Sequence, residues 1–173
     1  MYPNNWPAHA AEGETAEEGQ APARFKDDMI SFFDSLGELH QSVMRAIAVA
    51  MGLEERYFDG FVDAKDNTLR LLHYPAVAES VFRANEGTVR AGEHSDYGSL
   101  TFLFQDGRGG LQVQSPQGNF VDATPIEGTC VVNAGDLLQQ WSNDTIKSTI
   151  HRVVEPPVKE GEGGEYPARY SIA

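Results

Sequence analysis

Between residues 29 and 50 the apolar positions recur at three- and four-residue steps: Met29, Phe32, Phe33, Leu36, Leu39, Val43, Ile47 and Ala50. One stripe at that spacing predicts a long amphipathic helix over about Asp27–Met51. Asp27 and Asp28 suit its N-terminus, where negative charge meets the positive end of the helix dipole. Gly52 suits its end, because glycine turns left-handed there without a β-carbon in the way. A short second helix is expected over Leu53–Phe58. His9 and His40 are expected in solvent or on the helix surface.

Beyond residue 67 the pattern changes. Short apolar or alternating runs follow one another: TLRLLHY, TVRAGEH, LTFLFQ, LQVQ, NFVDA, TCVVNA, STIHRVVE and ARYSIA. Gly, Pro, Asn and Asp separate them, as in Asp106-Gly107-Arg108-Gly109-Gly110 and Ser115-Pro116-Gln117-Gly118. Eight short strands with such punctuation predict a sandwich or barrel, and eight is the strand count of a jelly roll. Leu100, Phe102 and Phe104 alternate and are expected to pack as a core wall. Pro156-Pro157 and Gly161-Glu162-Gly163-Gly164 mark a long loop before the last strand. The segment AAEGETAEEGQAPA has no periodic apolar face. The expected organisation is a mobile acidic segment over 1–24, helical support over 25–66 and a β-domain over 67–173. The fold class is mainly β with flanking α.

Charge and composition narrow the partners. The 173 residues carry 13 Lys+Arg against 26 Asp+Glu, a formal charge of −13. Nucleic acid and anionic membranes both demand a basic face, so neither is expected as a partner. No run approaches the roughly 20 apolar residues of a membrane span. The first residues lack a basic and then apolar leader. Cys130 is the single cysteine, so no internal disulfide forms and a reducing compartment fits. The expectation is a cytoplasmic monomer acting on a small molecule.

The chemistry centres on His94-x-Asp96 and His151, 57 residues further on. On a strand, residues two apart share a face. If the strand ends at His94, a tight turn could still bring the pair together. Two imidazoles and a carboxylate can hold one face of Fe(II) and leave the other open. The same donors suit Zn(II), though hydrolysis there would need a general base beside the metal. About 0.3 His-x-Asp pairs are expected by chance in such a composition, so the pair needs its context. Gly92 and Gly98 flank it and let the backbone bend. Arg169-x-Ser171 in the last run pairs a two-pronged guanidinium with a hydroxyl, which together suit a carboxylate. Asn133-Ala134-Gly135-Asp136 reads as turn geometry, and Arg152 should point to the face opposite His151.

In order, the blocks AGEHSDYGSLTFLFQD, GGLQVQ, VVNAGDLLQQWSND and KSTIHRV resemble the iron- and 2-oxoglutarate-dependent oxygenases related to isopenicillin N synthase. The resemblance covers about residues 65–173. It implies a double-stranded β-helix, a form of jelly roll, preceded by the long helix. It also implies Fe(II) on His94, Asp96 and His151, with O₂ and the cosubstrate 2-oxoglutarate. The cosubstrate's far carboxylate would rest on Arg169 and Ser171, with Tyr74 within reach. The implied activity is oxidation, typically hydroxylation, of a C–H bond with release of succinate and CO₂. Relatives that omit 2-oxoglutarate keep the same Arg-x-Ser, so a cosubstrate-independent iron oxidase is the alternative. The resemblance further implies a chain cut short at both ends, which leaves an inactive jelly-roll domain as a third reading.

Overall fold

Helix α1 runs from Phe25 to Ala50, within two residues of the span its spacing predicts. The computed structural model describes residues 4–17, 20–64, 66–84, 87–158 and 163–173. Parts of the expected mobile segment (1–3 and 18–19) and of the glycine loop before the last strand (159–162) lie outside these. The chain divides into two units, Met1–Asn67 and Thr68–Ala173.

In the first unit the line of fullest burial on α1 is His40, Met44 and Ala48. Leu39 and Ala50, part of the expected stripe, are exposed. The buried line thus lies one position round from Leu39 and Val43. His40 is 8% exposed, which corrects the surface position expected for it. It shares a face with Met44 and Ala48 because helical neighbours lie four apart. Burial pushes its imidazole pKa down from the usual value. The helix ends as Gly52 predicts: Gly52 has φ +73°. Its N–H donates to Val49 O (3.0 Å) and that of Leu53 to Ala48 O (2.9 Å), a Schellman closure of the last carbonyls. The helix expected over Leu53–Phe58 is instead a run of turns. Tyr57, Asp59 and Phe61 each donate three residues back, which tightens the chain into a 3₁₀ turn at Asp59–Phe61. Arg45 anchors that turn through two hydrogen bonds to Asp59, at 3.0 and 2.7 Å.

In the second unit every run expected to be extended contains a strand. These are β1 (Leu71–Tyr74), β3 (Ala91–His94), β4 (Leu100–Gln105), β5 (Leu111–Gln114), β6 (Phe120–Asp122), β7 (Val131–Ala134), β8 (His151–Val153) and β10 (Arg169–Ile172). They form two four-stranded sheets, ordered β1-β10-β4-β7 and β3-β8-β5-β6. All pairings are antiparallel. Eight strands divided four and four are a jelly roll. A two-residue pair, β2 (Val77–Ala78) with β9 (Glu165–Tyr166), was too short to show as a period. Helices α2 (Glu79–Ala84) and α3 (Asp136–Trp141) have six residues each, also below what spacing reveals. No helix among the described residues is long and apolar enough to cross a membrane.

Strand β3 ends at His94, so Asp96 sits in the following loop and the turn alternative holds. That loop needs partners for its carbonyls, and the start of α3 needs partners for its N–H groups. Each satisfies the other. Gly135 N donates to Ser99 O (2.9 Å), Asp136 N to Asp96 O (2.8 Å) and Leu137 N to Gly98 O (3.2 Å). The approach is so close that a β-carbon on Gly135 would lie 2.8 Å from Asp96 O and nearer still to Gly98 O. Gly135→Ala is therefore expected to cost ~3 kcal/mol, because backbone on both sides must move. Urea unfolding measures it; a loss below about 1 kcal/mol would show that the turn tolerates a side chain.

Candidate metal centre

Register brings the histidines together. β3 and β8 pair with His94 opposite His151, after a shift of register that begins at Ala91. Their ring centroids are 4.3 Å apart. The loop after β3 turns Asp96 back toward them, and Asp96 Oδ1 lies 3.8 Å from His151 Nε2. One ligand atom from each of the three residues lies within 4.8 Å of the others. His94 is exposed and the other two are half-buried, so one side of the cluster is open.

The donor set fits a divalent metal ion. His94 Nδ1 is 2.7 Å from Gly92 O, and His151 Nδ1 is 2.9 Å from Thr149 O. A carbonyl can only accept, so each Nδ1 carries the proton and each Nε2 turns its lone pair inward. Burial pushes the Asp96 carboxyl up. Hydrogen bonds from Asn133 and Thr101, then the two imidazoles, outweigh it and hold its pKa below the usual carboxylate value. The ligands of a six-coordinate ion with bonds of about 2.1 Å would stand roughly 3 Å apart, so these side chains need draw in by about an ångström.

Glu93 precedes His94 but faces the other way. Arg152, on β8, donates to Glu93 Oε1 (2.8 Å) and to Gln112 Oε1 (2.9 Å). Its guanidinium also lies 3.9 Å from the Phe120 ring centroid. The two strands that carry the histidines are thus clamped on their far face, and Glu93 is no general base for the metal side.

The other candidate residues meet on β1, β10 and β4. Tyr74 pairs with Arg169 and Leu72 with Ser171 across β1–β10. Arg169 is 1% exposed. It donates to Ser171 Oγ (3.1 Å), Gln105 Oε1 (3.3 Å) and Gly109 O (3.2 Å), and its guanidinium stands 5.2 Å from the Tyr74 ring. All three hydrogen-bond acceptors are neutral, and Asp106 acts on the guanidinium through its charge without a hydrogen bond between them. A buried guanidinium gains from an opposite charge in contact, so this cradle suits an anionic ligand. Burial pushes its pKa down. Burial, and then the charges of Arg169 and Arg108, push Arg90 down too, against the nearby Asp106.

Nothing in the sequence singles out Gln105 and Thr101, and Asn133, expected in a turn, lies on β7. Attention to Leu100, Phe102 and Phe104 hid the opposite face of the same strand, where Thr101 touches Asp96 and Gln105 touches Arg169. The alternation marks that face as the more polar one, but its partners come only from strand pairing. His73 stacks on Tyr170 at 4.7 Å, on the face of β1 away from Tyr74.

Comparison with known proteins gives a consistent picture. The model of the 2OG-Fe(II) oxygenase superfamily matches residues 65–173. The chain is 36% identical over 176 residues to the 2-oxoglutarate-Fe(II) type oxidoreductase ppzD of Metarhizium majus, covering 100% of this chain and 46% of that protein. It is 37% identical over 176 residues to the proline hydroxylase buaE of Petromyces alliaceus, covering 100% and 51%. Among solved structures it resembles a full-length Neurospora crassa protein in complex with alpha-KG and thymine, with TM-score 0.83 and 60% identity, over 96% of this chain and 50% of that one. The chain thus spans about half the length of these relatives.

The far-face clamp can be checked by itself. Arg152→Ala is expected to lower unfolding stability by about 1 kcal/mol, the sum of a partly exposed ion pair and a cation–π contact. Equal urea midpoints for the variant and the parent would dismiss the clamp.

Proposed function

This chain belongs to the 2OG-Fe(II) oxygenase superfamily, and from that premise we propose that it is an Fe(II)- and 2-oxoglutarate-dependent oxygenase of a small molecule. One observation carries the reading. One ligand atom from each of His94, Asp96 and His151 converges within 4.8 Å, in the same unit as a buried arginine whose described hydrogen-bond acceptors are neutral. His94, Asp96 and His151 would hold the metal. Arg169 and Ser171 would take the far carboxylate of 2-oxoglutarate, with Tyr74 beside them. The order of the sequence blocks supports the branch related to isopenicillin N synthase.

Bound Fe(II) with 2-oxoglutarate supplies oxidation of a C–H bond: substrate, O₂ and 2-oxoglutarate yield hydroxylated product, succinate and CO₂. The protein's own part is binding and orientation. The carbonyls of Gly92 and Thr149 fix the imidazole tautomers. Arg169 offers a planar fork already set by Ser171, Gln105 and Gly109, so little order is lost when a carboxylate docks. No side chain of the cluster needs to move a proton. As substrate we propose a pyrimidine base, because the Neurospora crassa protein, 60% identical over most of this chain, is found with thymine and with 5-formyluracil. The net charge of −13 and single cysteine support a cytoplasmic monomer that meets neither nucleic acid nor membrane.

The test is succinate formation with thymine as the prime substrate. It should require Fe(II), O₂ and 2-oxoglutarate together and vanish in His94→Ala. Turnover that persists in His94→Ala would refute the metal assignment, and turnover without 2-oxoglutarate would favour the iron oxidase. Arg169→Ala should lower kcat/KM for 2-oxoglutarate on the order of 100-fold, about 3 kcal/mol, as expected when one partner of a buried charged pair is removed. An unchanged KM for 2-oxoglutarate in that variant would move the anchor elsewhere.

A further inference from the structure

We propose that Asn133, with Thr101 beside it, is a positioning residue that ties down one oxygen of Asp96 and so presents the other alone to the metal. The inference rests on the iron reading above and goes beyond it by giving the carboxylate a set direction.

The geometry starts in the sheet. Asn133 on β7 and Thr101 on β4 are directly paired across antiparallel strands. Paired residues put their side chains on one face, and here both reach the Asp96 carboxylate. Asn133 Nδ2 lies 2.8 Å from Asp96 Oδ2, and 3.4 Å from Ala134 O. Both neighbours can only accept, so the amide is oriented with its NH₂ toward them. Oδ2 is therefore engaged, while Oδ1 faces His151 Nε2 at 3.8 Å.

The consequence is chemical. A carboxylate can bind a metal through one oxygen or through both. Binding through both would occupy a fourth position and leave two for the keto acid and O₂, which need three. A carboxylate pinned at Oδ2 binds through Oδ1 and keeps the open face at three positions. The hydrogen bond also fixes the torsion about the carboxylate, which the loop position of Asp96 leaves free. Partners of this outer kind are worth roughly 10–100-fold in metal affinity in other sites.

Anaerobic titration with Co(II), read by visible absorption, tests this without turnover. The variants are Asn133→Ala and the near-isosteric Thr101→Val, with Val132→Ala as a control on the exposed face of β7. Asn133→Ala should weaken Co(II) binding roughly 10- to 100-fold and change the visible band, as the carboxylate turns toward two-oxygen binding. Thr101→Val should shift both in the same direction by a few-fold. Val132→Ala should match the parent. Variants within about twofold of the parent, with the parent's band, would overturn the proposal while leaving the metal centre standing. Lost affinity with an unchanged band, or a loss shared by Val132→Ala, would mark a purely structural role and also overturn it. If Asn133→Ala does not fold, as judged by circular dichroism, Thr101→Val decides alone by the same criteria. A parent protein that takes up no Co(II) would overturn both this proposal and the iron reading.

Discussion

The chemistry of the β unit depends on the closure of the Gly135 turn over the loop that carries Asp96. A carboxylate on a loop is weakly placed unless its backbone is held. Here the holding is done by groups that would otherwise be costly. The first N–H groups of a helix have no partner inside it, and carbonyls of a loop that has left its strand have none in a sheet. Turned toward each other, the N–H groups of Gly135, Asp136 and Leu137 and the carbonyls of Asp96, Gly98 and Ser99 satisfy both needs. The distance at which they do so excludes a β-carbon at residue 135. A short stretch that looks like a plain turn is thus the mould for the metal side.

The same logic extends along β4. Its face of Leu100, Phe102 and Phe104 is apolar, and Phe102 is buried. Its other face sends Thr101 to Asp96 and Gln105 to Arg169. These two positions are four residues apart, about 13 Å along an extended strand. One rigid element therefore serves both the Asp96 end and the Arg169 end. A strand in the middle of a sheet, hydrogen-bonded to β7 on one side and β10 on the other, can keep that spacing better than two loops could. The far-face clamp from Arg152 does similar work for β3 and β8, so each half of the cluster is braced from outside.

The sequence made the strands legible because their runs alternate and glycine or proline ends them. It also made His94, Asp96, His151, Arg169, Ser171 and Tyr74 visible as candidates, through type and order, and the structure brings them into two constellations within one unit. Three things could not be read. The face of α1 was misjudged by one position, because a histidine, His40, lies on its buried line and polarity is a poor guide when a polar residue is buried. The turns after α1 mimic a helix in composition, and their three-residue hydrogen bonds have no distinct spacing. Thr101 and Gln105 look like ordinary polar strand residues and Asn133 like part of a turn, since what they touch depends on strand pairing across long separations.

Charge explains why both constellations can coexist in one small unit. Metal ligation takes unprotonated imidazoles, so a divalent ion held with the cluster's one carboxylate would leave the group with a single positive charge. Arg169 adds a second positive centre; burial first, and then its charge with that of Arg108, lowers the pKa of Arg90 against the raising effect of Asp106. A ligand with two negative ends would neutralise both centres at once, each in surroundings of low polarity where the attraction is strong. A monoanion would leave one centre uncompensated, and a neutral molecule would leave both. Gln105, Ser171 and Gly109 hold Arg169 by neutral oxygens, so no carboxylate occupies its hydrogen bonds before a ligand docks.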